Sequence, residues 1–138
     1  MAVAGRSEAV LAYITCASSD EAERIGRTLV AERLAACINI LPGMRSLCWW
    51  QGALTAAEET VLIAKTTAAG APGLTARVLE LHSYSCPCVV VLPLVGGNRG
   101  YLEWLVGEVR PAPPPSASPA LSAPEARRAP PTGAPPPG

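Results

Sequence analysis

Residues 35–51 and 59–66 place the tightest limit on what this chain can fold into. Both stretches read as strand, and Gly52 supplies a hairpin turn between them. Pro42-Gly43 interrupts the first arm, which resumes at Met44 and runs to Gln51. In the second arm Val61, Leu62, Ile63 and Ala64 are nearly continuous, the pattern of a strand buried on both faces. One small domain cannot fully cover a hairpin of this length. Unpaired strand edges are a liability unless another chain pairs with them, so self-association is expected.

The flanking sequence supplies the rest of a two-layer domain. Residues 9–16 are a short apolar run of Val, Leu, Ile and Tyr and read as a first strand. Ser18 precedes Glu21 at the spacing of a capping box. Ala22, Ile25, Gly26, Leu29 and Val30 then recur at helical intervals, which predicts a helix over 20–33. After the hairpin, residues 70–73 are a loop. Leu74, Val78, Leu79 and Leu81 mark a second amphipathic helix ending near His82, and residues 88–92 form a fourth strand. A turn at 96–98 leads to a short helix over 101–109. The order βαββαβ plus a terminal helix predicts an α+β fold, a ferredoxin-like sandwich with two helices on one face of an antiparallel sheet.

The composition changes sharply after Arg110. Eleven of the fifteen prolines lie in residues 111–138, where Leu121 is the only large apolar residue. Such a segment cannot bury enough surface to offset its ordering entropy. The expected organisation is therefore a flexible start over 1–8, one domain over 9–110, and a disordered Pro/Ala-rich tail over 111–138. No basic residue stands at a convincing distance from a PxxP core in that tail. The formal net charge is zero, which argues against a nucleic-acid partner. Residues 9–17 are too short and too interrupted, by Tyr13 and Thr15, to span a bilayer. No signal peptide is evident. The odd number of cysteines, at 16, 37, 48, 86 and 88, points to free thiols in a reducing, cytoplasmic setting.

Few residues carry chemistry. With a single histidine there is no Ser-His-Asp set, nor is there a phosphate-cradling glycine motif, so no enzyme and no organic cofactor are expected. His82 follows a helix and is either a ligand or a helix-end cap. Cys86 and Cys88 form Cys-Pro-Cys, whose sulfurs share a face if the segment is extended. With His82 they make His-x3-Cys-x-Cys, a soft-donor set suited to copper or zinc. The alternative is that both thiols are small buried hydrophobes. Cys37, beside Ala35 and Ala36, reads as core. Trp49, Trp50 and Trp104 read as core and interface filler in a chain without Phe. Lys65, inside an apolar strand, is expected to pair with Glu59 or Glu103 or to snorkel at an edge.

These residues also carry a resemblance. Leu34-Ala35-Ala36-Cys37-Ile38-Asn39, Pro42, Ser46, Trp50 and Gly52, then Glu59, Lys65-Thr66, His82, Tyr84, Leu92-Pro93, Gly97, Tyr101 and Trp104 are similar in order and spacing to the signature of the CutA divalent-cation-tolerance family. The resemblance implies a homotrimer whose long second and third strands pair between subunits. It further implies binding of copper and related divalent ions, and a link to metal tolerance. His82 matches a proposed copper ligand of the family. A cysteine near Cys16 is implicated in copper binding, with a one-residue ambiguity against Thr15 that decides which face it occupies. The family usually has His-Pro-Tyr-Glu where this chain has His82-Ser83-Tyr84-Ser85. It has a glutamate at the position of Cys88 and a tyrosine at that of Cys48. The lost carboxylates and gained thiols point to softer ions, Cu(I) or zinc, at His82, Cys86 and Cys88, with Cys16 as a more distant ligand. The other implied role is a non-catalytic scaffold for protein partners, of the kind that anchors acetylcholinesterase, with the metal site lost.

Overall fold

The computed structural model of the chain describes residues 8–110. The expectations of a flexible start over 1–8 and a disordered tail fall, Glu8 apart, outside those residues. Seven elements follow in the order β1 (Ala9–Cys16), α1 (Ser19–Ala31), β2 (Cys37–Trp50), β3 (Ala53–Thr67), α2 (Ala71–Leu81), β4 (Val89–Pro93) and α3 (Arg99–Glu108). The four strands form one antiparallel sheet in the order β2-β3-β1-β4. This is the α+β architecture read from the strand and helix pattern. Among the described residues no helix is long and apolar enough to cross a membrane.

Strand parity assigns the two sheet faces. Ala12, Ile14 and Cys16 of β1 point to the side that carries α1 and α2, together with Leu62 and Ala64 of β3. They pack there against Ala22, Ile25 and Leu29 of α1 and Leu74 and Val78 of α2, all fully buried. Ala9 and Lys65 point the other way, toward α3. Leu105 and Val109 close over Ala9, and Lys65 Nζ donates to the Tyr101 hydroxyl at 3.2 Å. Neither Glu59 nor Glu103 is its hydrogen-bond partner. Aliphatic residues fill most of the core, with Cys16 and Tyr84 buried beside them, and no Trp joins them: within the single chain Trp49 and Trp104 are exposed and Trp50 is half-buried.

The hairpin is longer than the sequence pattern suggested, because β3 starts at Ala53 rather than Glu59. Its outer part, Ala53 to Glu58, is short of β-branched residues, and continuous burial begins only at Glu59. Gln51 (φ 52°) and Gly52 (φ 81°) make the tight turn, both left-handed as a two-residue hairpin requires. Pro42-Gly43 is a bulge. Leu41 pairs with Val61 and Met44 with Glu59, so three steps along β2 match two along β3. The extra residue reverses the parity of β2, and Met44, Ser46, Cys48 and Trp50 share the Glu59 face.

Packing between α1 and the sheet is closest at Gly26. A Cβ there would lie 2.8 Å from Ile38 Cδ1 and 3.3 Å from Leu62 Cδ1. Gly26→Val should therefore lower stability by about 1–3 kcal/mol through overpacking. Gly26→Ala should stay near the parent, since one methyl meets only flexible side-chain tips and the helix gains roughly 1 kcal/mol of propensity. Urea midpoints of the two variants check this.

Candidate metal centre

The first of the site's three elements is the end of β1, where strand alternation points Cys16 toward α2 and Thr15 toward the opposite face. Of these two positions, Cys16 is the one that shares a face with the helices and lies near His82. The second is the start of α1. Ser18 caps the helix, its hydroxyl accepting from the Glu21 N–H at 3.1 Å. The reciprocal half of the capping box is displaced by one residue: Glu21 Oε1 accepts from the Ala17 N–H at 2.9 Å. The third is the end of α2, where His82 is the C-cap and its N–H bonds back to the Val78 carbonyl.

Cys16 Sγ, one Glu21 carboxylate oxygen and one His82 ring nitrogen lie within 4.8 Å of one another, and all three residues are buried. This is the one such group of three among the described residues. The backbone sets the His82 tautomer. Nε2 is 2.8 Å from the Thr15 carbonyl, which can only accept, so Nε2 carries the proton. Nδ1 then offers its lone pair, which accepts from the Tyr84 N–H at 3.0 Å and lies 3.7 Å from Glu21 Oε2. That oxygen also accepts from the Ser83 N–H at 2.7 Å and sits 3.7 Å from Arg24 Nη2.

Electrostatics follow from burial. Burial pushes the Cys16 thiol up to about 12, with Glu21 and then Glu59 adding to it, so the sulfur holds its proton at neutral pH. Burial also pushes Glu21 upward. The Ala17 and Ser83 hydrogen bonds and the nearby His82 outweigh it and hold the carboxyl below its ordinary range.

The donor set fits a small borderline cation. Nitrogen, oxygen and sulfur together suit zinc or copper, and metal-bound histidines commonly donate their other ring N–H to a backbone carbonyl, as His82 does to Thr15. An ion there would take the Nδ1 lone pair from the Tyr84 N–H and the proton from Cys16. The carboxylate oxygens keep lone pairs beyond those used by the backbone.

The structure thus brings Cys16 and His82 together and leaves Cys86 and Cys88 out of the group. Cys86 is exposed and Cys88 is half-buried. Cys88 precedes β4 and lies near Thr15 and Glu59, whose parity is opposite to that of Cys16. Burial, with Glu59 behind it, raises the Cys88 thiol, while Thr15 works the other way. The buried Thr15 hydroxyl itself meets no full hydrogen-bond geometry. Beside this group Glu59, 1% exposed, accepts from the Tyr84 hydroxyl at 3.0 Å and the Ser46 hydroxyl at 2.7 Å. Sequence reasoning missed Glu21 as a donor because its capping-box spacing already explained it. The overlooked signal is a capping carboxylate five residues after a cysteine that ends a strand.

Glu21→Gln should cost about 1–3 kcal/mol at neutral pH, because its amide NH₂ must face a backbone N–H. The native carboxyl pKa is depressed. Its stabilisation is therefore full above the ordinary value of 4.5 and is lost as pH falls through the lower native value. The gap between parent and variant urea midpoints should narrow on acidification; a constant gap would count against the ionised Glu21.

Known proteins place the fold and the site in context. The family model described as CutA1 divalent ion tolerance protein matches residues 10–108. The divalent-cation tolerance protein CutA of Thermus thermophilus is 48% identical over 92 residues, covering 67% of this chain and 89% of that protein. Human protein CutA is 36% identical over 94 residues, covering 68% of this chain and 52% of that protein. The chloroplastic rice protein CutA 1 is 39% identical over 101 residues, 73% of this chain and 57% of the rice protein. The chain thus spans little more than half the length of these two eukaryotic relatives. The solved Thermus thermophilus structure superposes with a TM-score of 0.72 at 43% identity, covering 74% of this chain and 99% of that one. The rice CutA1 structure gives 0.74 at 36% identity, covering 78% and 99%. With this match running from β1 to the last residue of α3, the chain belongs to the CutA1 divalent ion tolerance family.

Proposed function

We propose that this protein is a homotrimer that binds copper or zinc in metal tolerance, holding the ion at Cys16, Glu21 and His82 rather than catalysing a reaction. The observation that carries the reading is the His82 ring. Its Nε2 proton is committed to Thr15, so Nδ1, which accepts from the Tyr84 N–H, carries the lone pair and lies 3.7 Å from the buried Glu21 carboxylate, with the Cys16 thiol in the same group. A binding role suits these groups, since Glu21 and His82 are fixed by backbone partners and the buried Cys16 thiol holds its proton. Five free cysteines support a reducing, cytoplasmic setting, although the rice and Arabidopsis relatives are named as chloroplastic.

The trimer reading rests on the sheet edges. The two outer strands, β2 and β4, are unlike and lie at opposite edges. Unlike edges that pair head to tail close into a ring where the rotation between subunits closes. Leu47, Trp49 and Leu54 on the outer hairpin are 70%, 73% and 65% exposed, and Val90, Val91 and Leu92 of β4 are exposed too. Light scattering should give three chains per particle; a monomer at micromolar concentration overturns the assembly.

Zinc titration of the reduced protein against a chromophoric chelator tests the site. Cys16→Ser and His82→Ala should each weaken binding at least about tenfold, and a Cys86→Ser, Cys88→Ser double variant should bind like the parent. The reverse pattern would move the site to the Cys-Pro-Cys thiols. Because the ion must displace the Cys16 proton, affinity should rise about tenfold per pH unit below the thiol value of about 12. A flat profile near neutral pH would remove Cys16 from the ligand set.

A further inference from the structure

An open cleft of about 370 Å³ lies over the cluster, lined by Ala17, Ser18, Asp20, Glu21, Arg24 and Ser83. Glu21 is the cluster's own donor on that wall, so the cleft meets the site through its carboxylate. Arg24 stands at the same place. Its Nη2 is 3.7 Å from Glu21 Oε2, the oxygen that also lies 3.7 Å from His82 Nδ1. Its Nη1 donates to the Leu81 carbonyl at 3.2 Å, one residue before His82. The guanidinium therefore rests across the ends of two helices, on the carboxylate that an incoming ion must share.

We propose that Arg24 is a resident cation that sets the threshold for loading the site: a divalent ion binds by displacing the guanidinium from Glu21, and the charge of Arg24 holds metal affinity down. The proposal rests on the Cys16–Glu21–His82 site given above. Arg24 is 53% exposed and tethered by single contacts, so it can swing into solvent while Glu21, 7% exposed, stays. Its charge acts in two directions. It favours the Cys16 thiolate, which helps binding. Yet exchanging one thiol proton for a divalent ion raises the charge of the site by one, and a fixed positive neighbour opposes that exchange whatever the proton's own affinity. Repulsion therefore prevails. A weak ion leaves the Arg24–Glu21 pair intact, and only an ion with strong N, O and S affinity replaces it.

A charge series at Arg24 tests this, with zinc affinity of the full reduced chain read by chelator competition. Arg24→Lys keeps the charge and should stay within about threefold of the parent. Arg24→Gln should bind about tenfold tighter, the scale of one unit charge at this range in a partly solvated site. Arg24→Glu should bind tighter again, and the spread should shrink at high salt. The Leu81 contact is lost in the Gln and Glu variants, so the metal-free urea midpoints are measured alongside. Lower stability without graded affinity overturns the proposal. Equal affinity across the series also overturns it, and if Cys16→Ser and His82→Ala still weaken binding, the site itself survives. If those two variants bind zinc like the parent, the site falls and this role of Arg24 falls with it.

Discussion

A buried carboxylate has to be satisfied where it sits, and in this molecule that obligation organises the end of the sheet. Glu21 accepts from Ala17 on its own side of the fold and from Ser83 on the other. The first bond fixes the sharp passage from β1 into α1. The second holds the segment after α2 against the start of α1, across a sequence separation of 62 residues. Because Ser83 follows His82 directly, fixing its N–H also fixes where the imidazole can turn. Thr15 completes the arrangement from β1, so one ring is held by a strand, a helix end and the next turn together.

Parity is the second constraint, and it acts twice. In β1 it separates Cys16 from Thr15, sending the thiol to the helix side and the hydroxyl to the other. In β2 the bulge at Pro42-Gly43 shifts the alternation by one residue and brings Ser46 onto Glu59. Glu59 in turn receives the Tyr84 hydroxyl, and the Tyr84 ring lies 4.8 Å from that of His82. A hydrogen-bonded path thus links the long hairpin to the candidate metal centre. The apolar outer hairpin and the buried polar cluster therefore belong to one continuous structure.

Glu21 and His82 are buried and hydrogen-bonded to backbone atoms that cannot titrate, and Cys16 is buried beside them. The thiol keeps its proton at neutral pH, and an ion bound there would have to replace it, which would tie occupancy to pH. Arg24, 3.7 Å from the Glu21 carboxylate, adds positive charge at the same place. On the proposed reading such a site would discriminate by donor softness, the property that separates copper and zinc from the harder divalent cations.

Local order was written plainly in the sequence. The apolar run of β1, the cap at Ser18, the helical spacing of Ala22 to Val30 and the turn at Gly52 all depend on near neighbours in the chain, and all formed as read except that the reciprocal half of the capping box shifted to Ala17. The inner half of β3 was legible for the same reason, whereas its outer half, Ala53 to Glu58, was not, since its residues have weak strand preference and gain their place from pairing with β2. The site divides along the same line. His82 and Cys16 could be singled out by residue type. Their association could not, because 66 positions separate them and only the β1–α2 packing joins them. Cys86 and Cys88 looked like partners of His82 by spacing, but the chain turns between them and the imidazole faces β1 instead. Glu21 was visible only as a cap. Short-range periodicity and hydrogen bonding fix which segments become strand or helix, and strand alternation fixes which side chains can share a face. Which faces then meet is set by the burial of the whole core, a property of long-range contacts that no window of the sequence contains.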